Sequence, residues 1–256
     1  MPYSEWDIIV IRIGLLGSTG RMGQWVSKLL CTEFTEKAAL VVQVDQAKSI
    51  DSLFSSDVVI DFSSAEGTQT LIQSALKHRG RLPCLVIGTT GWNSTKNEEL
   101  DQLVKKTPIL VAPNFSIAVF AFKKILEQFS PLLESLHYTP VMTDIHHIHK
   151  KDAPSGTALS LQLSMDALNP SRIPIHSVRA GEVIGEHSVT FYGKGDRISI
   201  EHQAQDRSIF ARGAIEVAIW IARNHAEVQR LQRVIGIDFY FEKIKENHLC
   251  SNSRKD

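Results

Sequence analysis

At 256 residues, with 43% hydrophobic side chains and 28 basic residues balanced by 28 acidic ones, the chain can bury one large core or two modest ones and lacks the basic excess of a nucleic-acid binder. Its three cysteines, Cys31, Cys84 and Cys250, are odd in number, far apart and in no Cys-x-x-Cys pair, which argues against a disulfide framework or zinc ribbon and fits a reducing cytoplasm. The first apolar run has no basic stretch before it and is broken by Arg12, and the longest uncharged stretch, 107–122, contains Pro108, Pro113 and Asn114, so neither a secretion signal nor a membrane span is expected.

Ile8 to Leu16 is a β-rich apolar run of the kind that forms a fully buried parallel strand. It ends in Gly17-Ser18-Thr19-Gly20-Arg21-Met22-Gly23, followed by the helix-like Gln24 to Leu30. Strand, glycine turn and helix in that order suit a phosphate group, because glycine admits a tight turn and a helix N-terminus offers unpaired N–H donors. The Gly-x-x-Gly-x-x-Gly spacing is one residue off the usual dinucleotide fingerprint, so a ligand-free βα turn stays open as an alternative. Ala39 to Val44 reads as a second buried strand ending at Asp45, 22 positions past Gly23. An acidic residue at about that offset commonly binds an adenosine ribose, although a solvated strand-end aspartate has the same signature. Gln46 and Ala47 bring no guanidinium, while Lys48 could reach a 2′-phosphate.

Three further βα segments follow. Val58 to Phe62 precedes a helix from about Glu66 to Lys77, Cys84 to Ile87 precedes one from about Lys96 to Lys106, and Ile109 to Val111 comes next. Strands alternating with helices predict a parallel, doubly wound sheet with ligands beyond the carboxyl ends of the strands. Those ends carry Phe62-Ser63-Ser64, Gly88-Thr89-Thr90-Gly91 and Pro113-Asn114-Phe115-Ser116, small or polar loops suited to a nicotinamide pocket or to ordinary turns.

From Ser116 the pattern changes to a long amphipathic helix, bent at Pro131 and reaching about Leu136. The strand Tyr138 to Ile148 follows. Further on, Ser177 to Ala180, a loop with Gly181 and Gly185, and the alternating strands Ser188 to Tyr192 and Arg197 to His202, joined by Gly193-Lys194-Gly195-Asp196, predict an α+β domain with an open sheet. An open sheet invites burial by a partner subunit. Gly213 to Ala222 reads as an apolar core or interdomain helix, and the polar tail after Leu249 as frayed.

The densest chemistry lies in Asp144 to Thr157, Asp-Ile-His-His-Ile-His-Lys-Lys-Asp-Ala-Pro-Ser-Gly-Thr. On a continuing strand His146 would share a face with Ile148 and Lys150, and His147 with His149 and Lys151. Pro154 and Ser155 read as a helix start, and Gly156 would let a carboxylate or phosphate approach the backbone. An imidazole that titrates near neutrality beside lysines fits an acid-base site for an anion. A metal site on His146, His147 and His149 is disfavoured, because zinc ligands usually bring cysteine or carboxylate partners and lysines follow here. A solvated basic strand end is the plain alternative.

Together these motifs resemble the dihydrodipicolinate reductase family. The resemblance rests on Gly17 to Gly23, Asp61-Phe62 with Glu66-Gly67-Thr68, Gly88 to Gly91, Asn114-Phe115-Ser116, His146-His147 with His149-Lys150, Asp152 to Thr157, Arg179-Ala180-Gly181 with Gly185-Glu186-His187, and Arg207 with Phe210. It implies a Rossmann-type doubly wound parallel sheet, residues 1–116 rejoined by 207–256, and a second α+β domain, 117–206, that binds substrate and builds a cytoplasmic homotetramer. It also implies NADH or NADPH as cofactor and a small cyclic dicarboxylate as substrate in diaminopimelate and lysine biosynthesis, with no nucleic-acid or membrane partner.

On the matching positions His146 would be the proton donor and Lys150, His147, Ser155, Gly156 and Thr157 would hold carboxylates. The cofactor would lie against Gly17, Ser18, Thr19, Gly20, Arg21, Met22, Asp45, Phe62, Gly88, Thr89, Thr90, Pro113, Asn114 and Phe115. Ser64 stands where some members carry arginine, and Gln46 where some carry a basic residue after the acidic one. The alternatives are another NAD(P)-dependent amino-acid dehydrogenase, which would lack the histidine run joined to Pro-Ser-Gly-Thr, and a dinucleotide-sensing regulatory module, which needs no acid.

Overall fold

The computed structural model describes residues 9–45, 49–92, 98–166 and 173–252, with side chains to 246. In chain order the elements are β1 (Ile11–Leu16), α1 (Arg21–Thr32), β2 (Ala38–Val44), a 3-10 turn (Ile50–Ser55), β3 (Val58–Asp61), α2 (Ala65–Lys77), β4 (Cys84–Ile87), α3 (Glu98–Leu103) and β5 (Ile109–Val111). They continue with α4 (Ile117–Ser135), β6 (Thr139–His146), α5 (Gly156–Met165), β7 (Ile175–Arg179), β8 (Glu186–Tyr192), β9 (Arg197–Gln203), α6 (Ser208–Arg223), α7 (His225–Gln229) and α8 (Ile237–Asn252). The chain divides into two compact units, one formed by residues up to Phe115 and from Phe210 onward, the other by Ser116–Ile209.

The first unit is a five-stranded parallel sheet in the order β2-β1-β3-β4-β5. Strand order reverses at β1, with β2 on one side and β3 on the other, and a doubly wound sheet opens a ligand crevice at such a switch point. Strands β3 and β4 are buried at every position, as continuous Val, Ile and Leu runs covered on both faces should be. The expectation of a buried second strand is corrected: β2 is the edge strand, and only its end residues Ala38 and Val44 are buried, the five between them being half-buried or exposed. Leu16, Val59, Leu71, Ile72, Leu85 and Leu103 belong to the core beneath the sheet.

The last segment returns to this unit. Ile235 donates to Ile109 O and accepts from Val111 N, both at 3.0 Å. A Cβ at Gly213 of α6 would lie 1.9 Å from Phe115 O, so glycine there lets the helix touch the backbone that follows β5. Of the tail expected to fray after Leu249, residues 250–252 still belong to α8, and 253–256 lie outside the described residues.

The second unit is a mixed four-stranded sheet, β7-β6-β8-β9, with β6 and β7 parallel and the other pairs antiparallel. One face packs under α4 and α5 through Phe122, Leu126, Met142, Leu161, Val189 and Phe191. The helix α4 continues through Pro131, and its start is capped by Ser116 Oγ, which accepts from Val119 N at 3.3 Å. Val178, Tyr192 and Ile198 of the sheet stay exposed, as do Phe129 and Leu132 of α4 and Leu163 of α5. No helix among the described residues is long and apolar enough to cross a membrane.

Candidate active site

In the first unit the glycine turn is tight because its glycines touch backbone. Gly17 has φ +83°, and a Cβ there would lie 2.6 Å from Phe62 O, while one at Gly23 would lie 2.1 Å from Gly17 O. Gly20 is the N-cap of α1, whose first turn holds no acidic residue, so the positive helix end stays available to an anion. Asp45, at the end of β2, accepts from Ser18 Oγ at 2.8 Å and Thr19 N at 3.1 Å, both through Oδ2. Gly17, Thr19, Gly20, Asp45 and Phe62 line one cavity of about 770 Å³, together with Ser64 and the start of α2. Glycines that admit backbone approach, a helix N-terminus and a carboxylate around one cavity fit the ribose and pyrophosphate of a dinucleotide.

Other expected cofactor residues lie outside that wall. Arg21 is exposed and Met22 half-buried at the start of α1, Thr90 is exposed after β4, and Pro113 and Asn114 follow β5. Phe62 links these loops to the cavity: its ring lies 5.8 Å from that of Phe115, edge to face, and a Cβ at Gly88 would collide with it. Beneath the loops, fully buried Asp61 accepts from Ser63 N at 2.9 Å, Ser63 Oγ at 2.6 Å, Thr89 Oγ1 at 3.0 Å and Thr68 Oγ1. Burial pushes the Asp61 carboxyl above its ordinary value, against the pull of those bonds. Gln46, Ala47 and Lys48, weighed for a 2′-phosphate, lie outside the described residues.

In the second unit β6 alternates, and Met142, Asp144 and His146 are buried on one face. The strand stops at His146 and a turn follows, with Lys150 N donating to His147 O at 3.1 Å. The expectation that His146 and Lys150 share a strand face is therefore corrected. Lys150 arrives by the turn and pairs with Asp152 Oδ1 at 2.8 Å. Burial would raise the Asp152 carboxyl, but Lys150 holds it below its ordinary value, helped by the backbone N–H groups of Asp152 and Gly156. His147 is half-buried and His149 exposed, their rings 6.2 Å apart.

The register of the sheet gathers side chains around Asp144. His187 of β8 stands directly across from it, and Ser177 of β7 is its parallel partner, with Arg179 opposite His146. His146 Nδ1 lies 2.9 Å and His187 Nε2 3.4 Å from Asp144 Oδ1. Oδ2 accepts from Ser155 N at 3.0 Å, Ser177 Oγ at 3.2 Å and Arg179 Nη2 at 3.3 Å. Burial works to raise the Asp144 carboxyl, but hydrogen bonds from His146, His187 and Ser155 outweigh it and hold the group far below the ordinary carboxylate range. The His146 ring is turned so that its Nδ1–H does not point straight at Oδ1, the loose alignment common in sites without substrate.

Ser155 caps α5, its Oγ accepting from Ala158 N at 3.1 Å and standing 3.2 Å from His187 Nε2. Its own N–H is spent on Asp144, and the N–H of the exposed Gly156 is turned to Asp152, which also holds Lys150, so a ligand anion arriving here would take the place of that carboxylate. A Cβ at Gly156 would meet no heavy atom within 4 Å. Asp144, His187 and Arg179 were not singled out as functional by sequence reasoning. The signal for Asp144 was its place two residues before His146, on the same face of a strand.

Ligating atoms of Asp144, His146 and His187 lie within 4.8 Å of one another, the spacing of a metal site. Of His146, His147 and His149, expected to have no carboxylate partner for a metal, His146 does have one in Asp144. The Arg179 guanidinium against the same carboxylate disfavours a second cation there, and His147 and His149 take no part.

A dinucleotide crevice on a doubly wound sheet, and beside it in the sequence a domain with a buried imidazole–carboxylate pair and a cationic helix start, define an NAD(P)H-dependent oxidoreductase. Residues 11–115 match the N-terminal part of dihydrodipicolinate reductase and residues 118–235 its C-terminal part. The chain is 33% identical over 249 residues to 4-hydroxy-tetrahydrodipicolinate reductase of Campylobacter jejuni, covering 89% of this chain and 100% of that protein. It is 32% identical over 254 residues to the enzyme of that name from Zymomonas mobilis, covering 89% and 98%. Among solved structures, a dipicolinate-bound dihydrodipicolinate reductase from Paenisporosarcina sp. TG-14 aligns with a TM-score of 0.65 and 23% identity over 89% of this chain and 98% of that one. The chain belongs to the dihydrodipicolinate reductase family.

Proposed function

We propose that the chain converts 4-hydroxy-tetrahydrodipicolinate, which becomes dihydrodipicolinate on loss of water, to tetrahydrodipicolinate by adding a hydride from NADH or NADPH and a proton, a step toward diaminopimelate and lysine, and that it works as a cytoplasmic homotetramer. The observation that carries this reading is the match of both family parts across the chain, including the run 144–157 that holds the acid-base groups. The exposed apolar positions of the second unit support burial by partner subunits.

In this reading 9–115 with 210–252 hold the dinucleotide, and 116–209 hold the substrate. The nicotinamide supplies a hydride when bound. His146 supplies the proton that the substrate carbon takes up, and its neutral imidazole regains one from water. Lys150, exchanging Asp152 for a substrate carboxylate, and the N–H groups of Gly156 and Thr157, with His147, fix the ring relative to that acid. Asp45 accepts ribose hydroxyls and repels a 2′-phosphate, so both cofactors serve with a lean to NADH.

The test is to follow NADH and NADPH absorbance with freshly generated substrate. Substrate-dependent oxidation of both is expected. Binding of cofactor without turnover would turn the reading toward a sensing module.

A further inference from the structure

Asp144 is fully buried, and its two carboxylate oxygens face five groups contributed by four different segments. Oδ1 faces the imidazoles of His146 and His187, while Oδ2 takes the Ser155 N–H, the Ser177 hydroxyl and the Arg179 guanidinium. No other carboxylate among the described residues lies against both imidazoles. The groups divide by task. His146 is the acid of the proposed reaction, Ser155 begins the helix that receives the substrate anion, and Arg179 pairs with the carboxylate oxygen that does not face the imidazoles.

We propose that Asp144 is the positioning residue of this site, fixing the tautomer of His146 and tying that ring to the N-terminus of α5. This rests on the reductase reading. With Nδ1 2.9 Å from Asp144 Oδ1, the nitrogen that can give up a proton is Nε2, which lies on the side of Gly185: a Cβ at 185 would approach Nε2 to 3.1 Å. When the substrate carbon takes its proton, the Nε2–H bond breaks, a C–H bond forms, and His146 is left as the neutral Nδ1–H imidazole that Asp144 favours. Water then restores the Nε2 proton. Oδ1 of that carboxylate is also the anionic oxygen that faces the ring before transfer, 2.9 Å from Nδ1. That Asp144 is held ionised by its donors agrees with this role.

Every element around His146 contributes to its field. Arg179 on β7 is cationic but directed to Asp144 Oδ2. His187 on β8 stacks edge to face on His146 at 5.2 Å, and behind it His202 on β9 is pushed below its ordinary value by burial and by His187. Glu186 pairs with Ile145 and so belongs to the opposite face of the sheet. Lys150 and Asp152 in the turn neutralise one another. Asp144 is thus the anion that His146 meets directly.

The experiment reads the tautomer first. In the full-length wild-type chain labelled with 15N-histidine, with His146 assigned through His146→Gln, the neutral ring should carry its proton on Nδ1. A neutral ring protonated on Nε2 overturns the proposal, whether or not the chain turns substrate over. Asp144→Asn and Asp144→Glu then separate positioning from mere folding, with NADH as the binding probe. Asp144→Asn should lose about tenfold or more in kcat, leave NADH affinity unchanged and move the alkaline limb of the kcat profile toward lower pH. Asp144→Glu should recover the limb in part. A loss of kcat with the limb and tautomer unmoved would make Asp144 a structural residue and overturn the proposal. A wild-type chain that shows the Nδ1 tautomer but no turnover would preserve the positioning and sink the reductase reading instead.

Discussion

Replacing Gly23 by alanine probes how the first unit builds its anion site. The added Cβ would stand 2.1 Å from Gly17 O and 2.7 Å from Ser18 Cα and O, all backbone atoms, so no side chain can swing aside. Ordinary contact begins at 3.4 Å, so α1 and the glycine turn must separate by about 1.3 Å. The bonds that close this junction, Gly20 N to Gly17 O at 3.2 Å and Gln24 N to Gly20 O at 3.0 Å, cannot both survive an opening of that size. Overpacking at about 1 to 3 kcal/mol and a lost hydrogen bond at about 1 kcal/mol together predict a destabilisation of roughly 2 to 4 kcal/mol, or on the order of 5 to 15 °C in Tm. The same opening moves N–H donors away from the phosphates, so NADH affinity should fall at least about tenfold, or 1.4 kcal/mol. Thermal melting by circular dichroism and a NADH fluorescence titration measure both. Gly236→Ala is the control, since a Cβ there meets nothing within 4 Å, and should stay within about 0.5 kcal/mol of wild type. If Gly23→Ala melted and bound NADH like the control, the tight-turn argument for a dinucleotide site would fail.

His146→Gln should lower kcat by roughly a hundredfold or more with NADH affinity intact; near-native kcat, with hydride transfer shown to limit the rate by a deuterated cofactor, would hand the acid role to another group. Lys150→Ala should raise KM as well as lower kcat, because it removes binding and alignment together, and an unchanged KM would remove Lys150 from carboxylate binding. A tenfold preference for NADPH in binding, about 1.4 kcal/mol, would show the Asp45 reasoning to be wrong. The Asp144 carboxyl is held below its ordinary value, so its contribution to stability is present above the unfolded value near about 4 and is lost as pH falls through the folded one. The stability gap between wild type and Asp144→Asn should therefore narrow progressively below about pH 4, and a gap that widened there, measured by denaturant melts, would reverse the sign of the argument. Burial pushes the Cys84 thiol up to about 12, whereas Cys31 is exposed, so peptide mapping after brief alkylation of the folded chain should find Cys31 modified and Cys84 untouched.

The first unit was legible because its signals are local. Apolar runs, the glycine turn and the alternation of strand and helix each lie within a short window, and β1, β3, α2 and β4 appear where those signals put them. The exposure of β2 was not legible, because an edge position is decided by which strands pair, and the run Ala39 to Val44 is as apolar as a central strand. The same limit explains the second unit. His146 and Ser155 stand out in one contiguous run, but the carboxylate that joins them draws on Ser177 and Arg179 of β7 and His187 of β8, and only the register of three strands brings those together. Lys150 was misplaced for a different reason. Period-2 alternation holds only while the strand lasts, and the chain turns immediately after His146.

The central claim is hydride delivery to a cyclic dicarboxylate, and the mass of the product tests it most directly. With NADH carrying deuterium at the transferable position of the nicotinamide and freshly generated 4-hydroxy-tetrahydrodipicolinate, the wild-type chain should yield tetrahydrodipicolinate bearing a single deuterium. Oxidation of the labelled cofactor without deuterium in the product, or no oxidation at all with NADH or NADPH, would contradict the account.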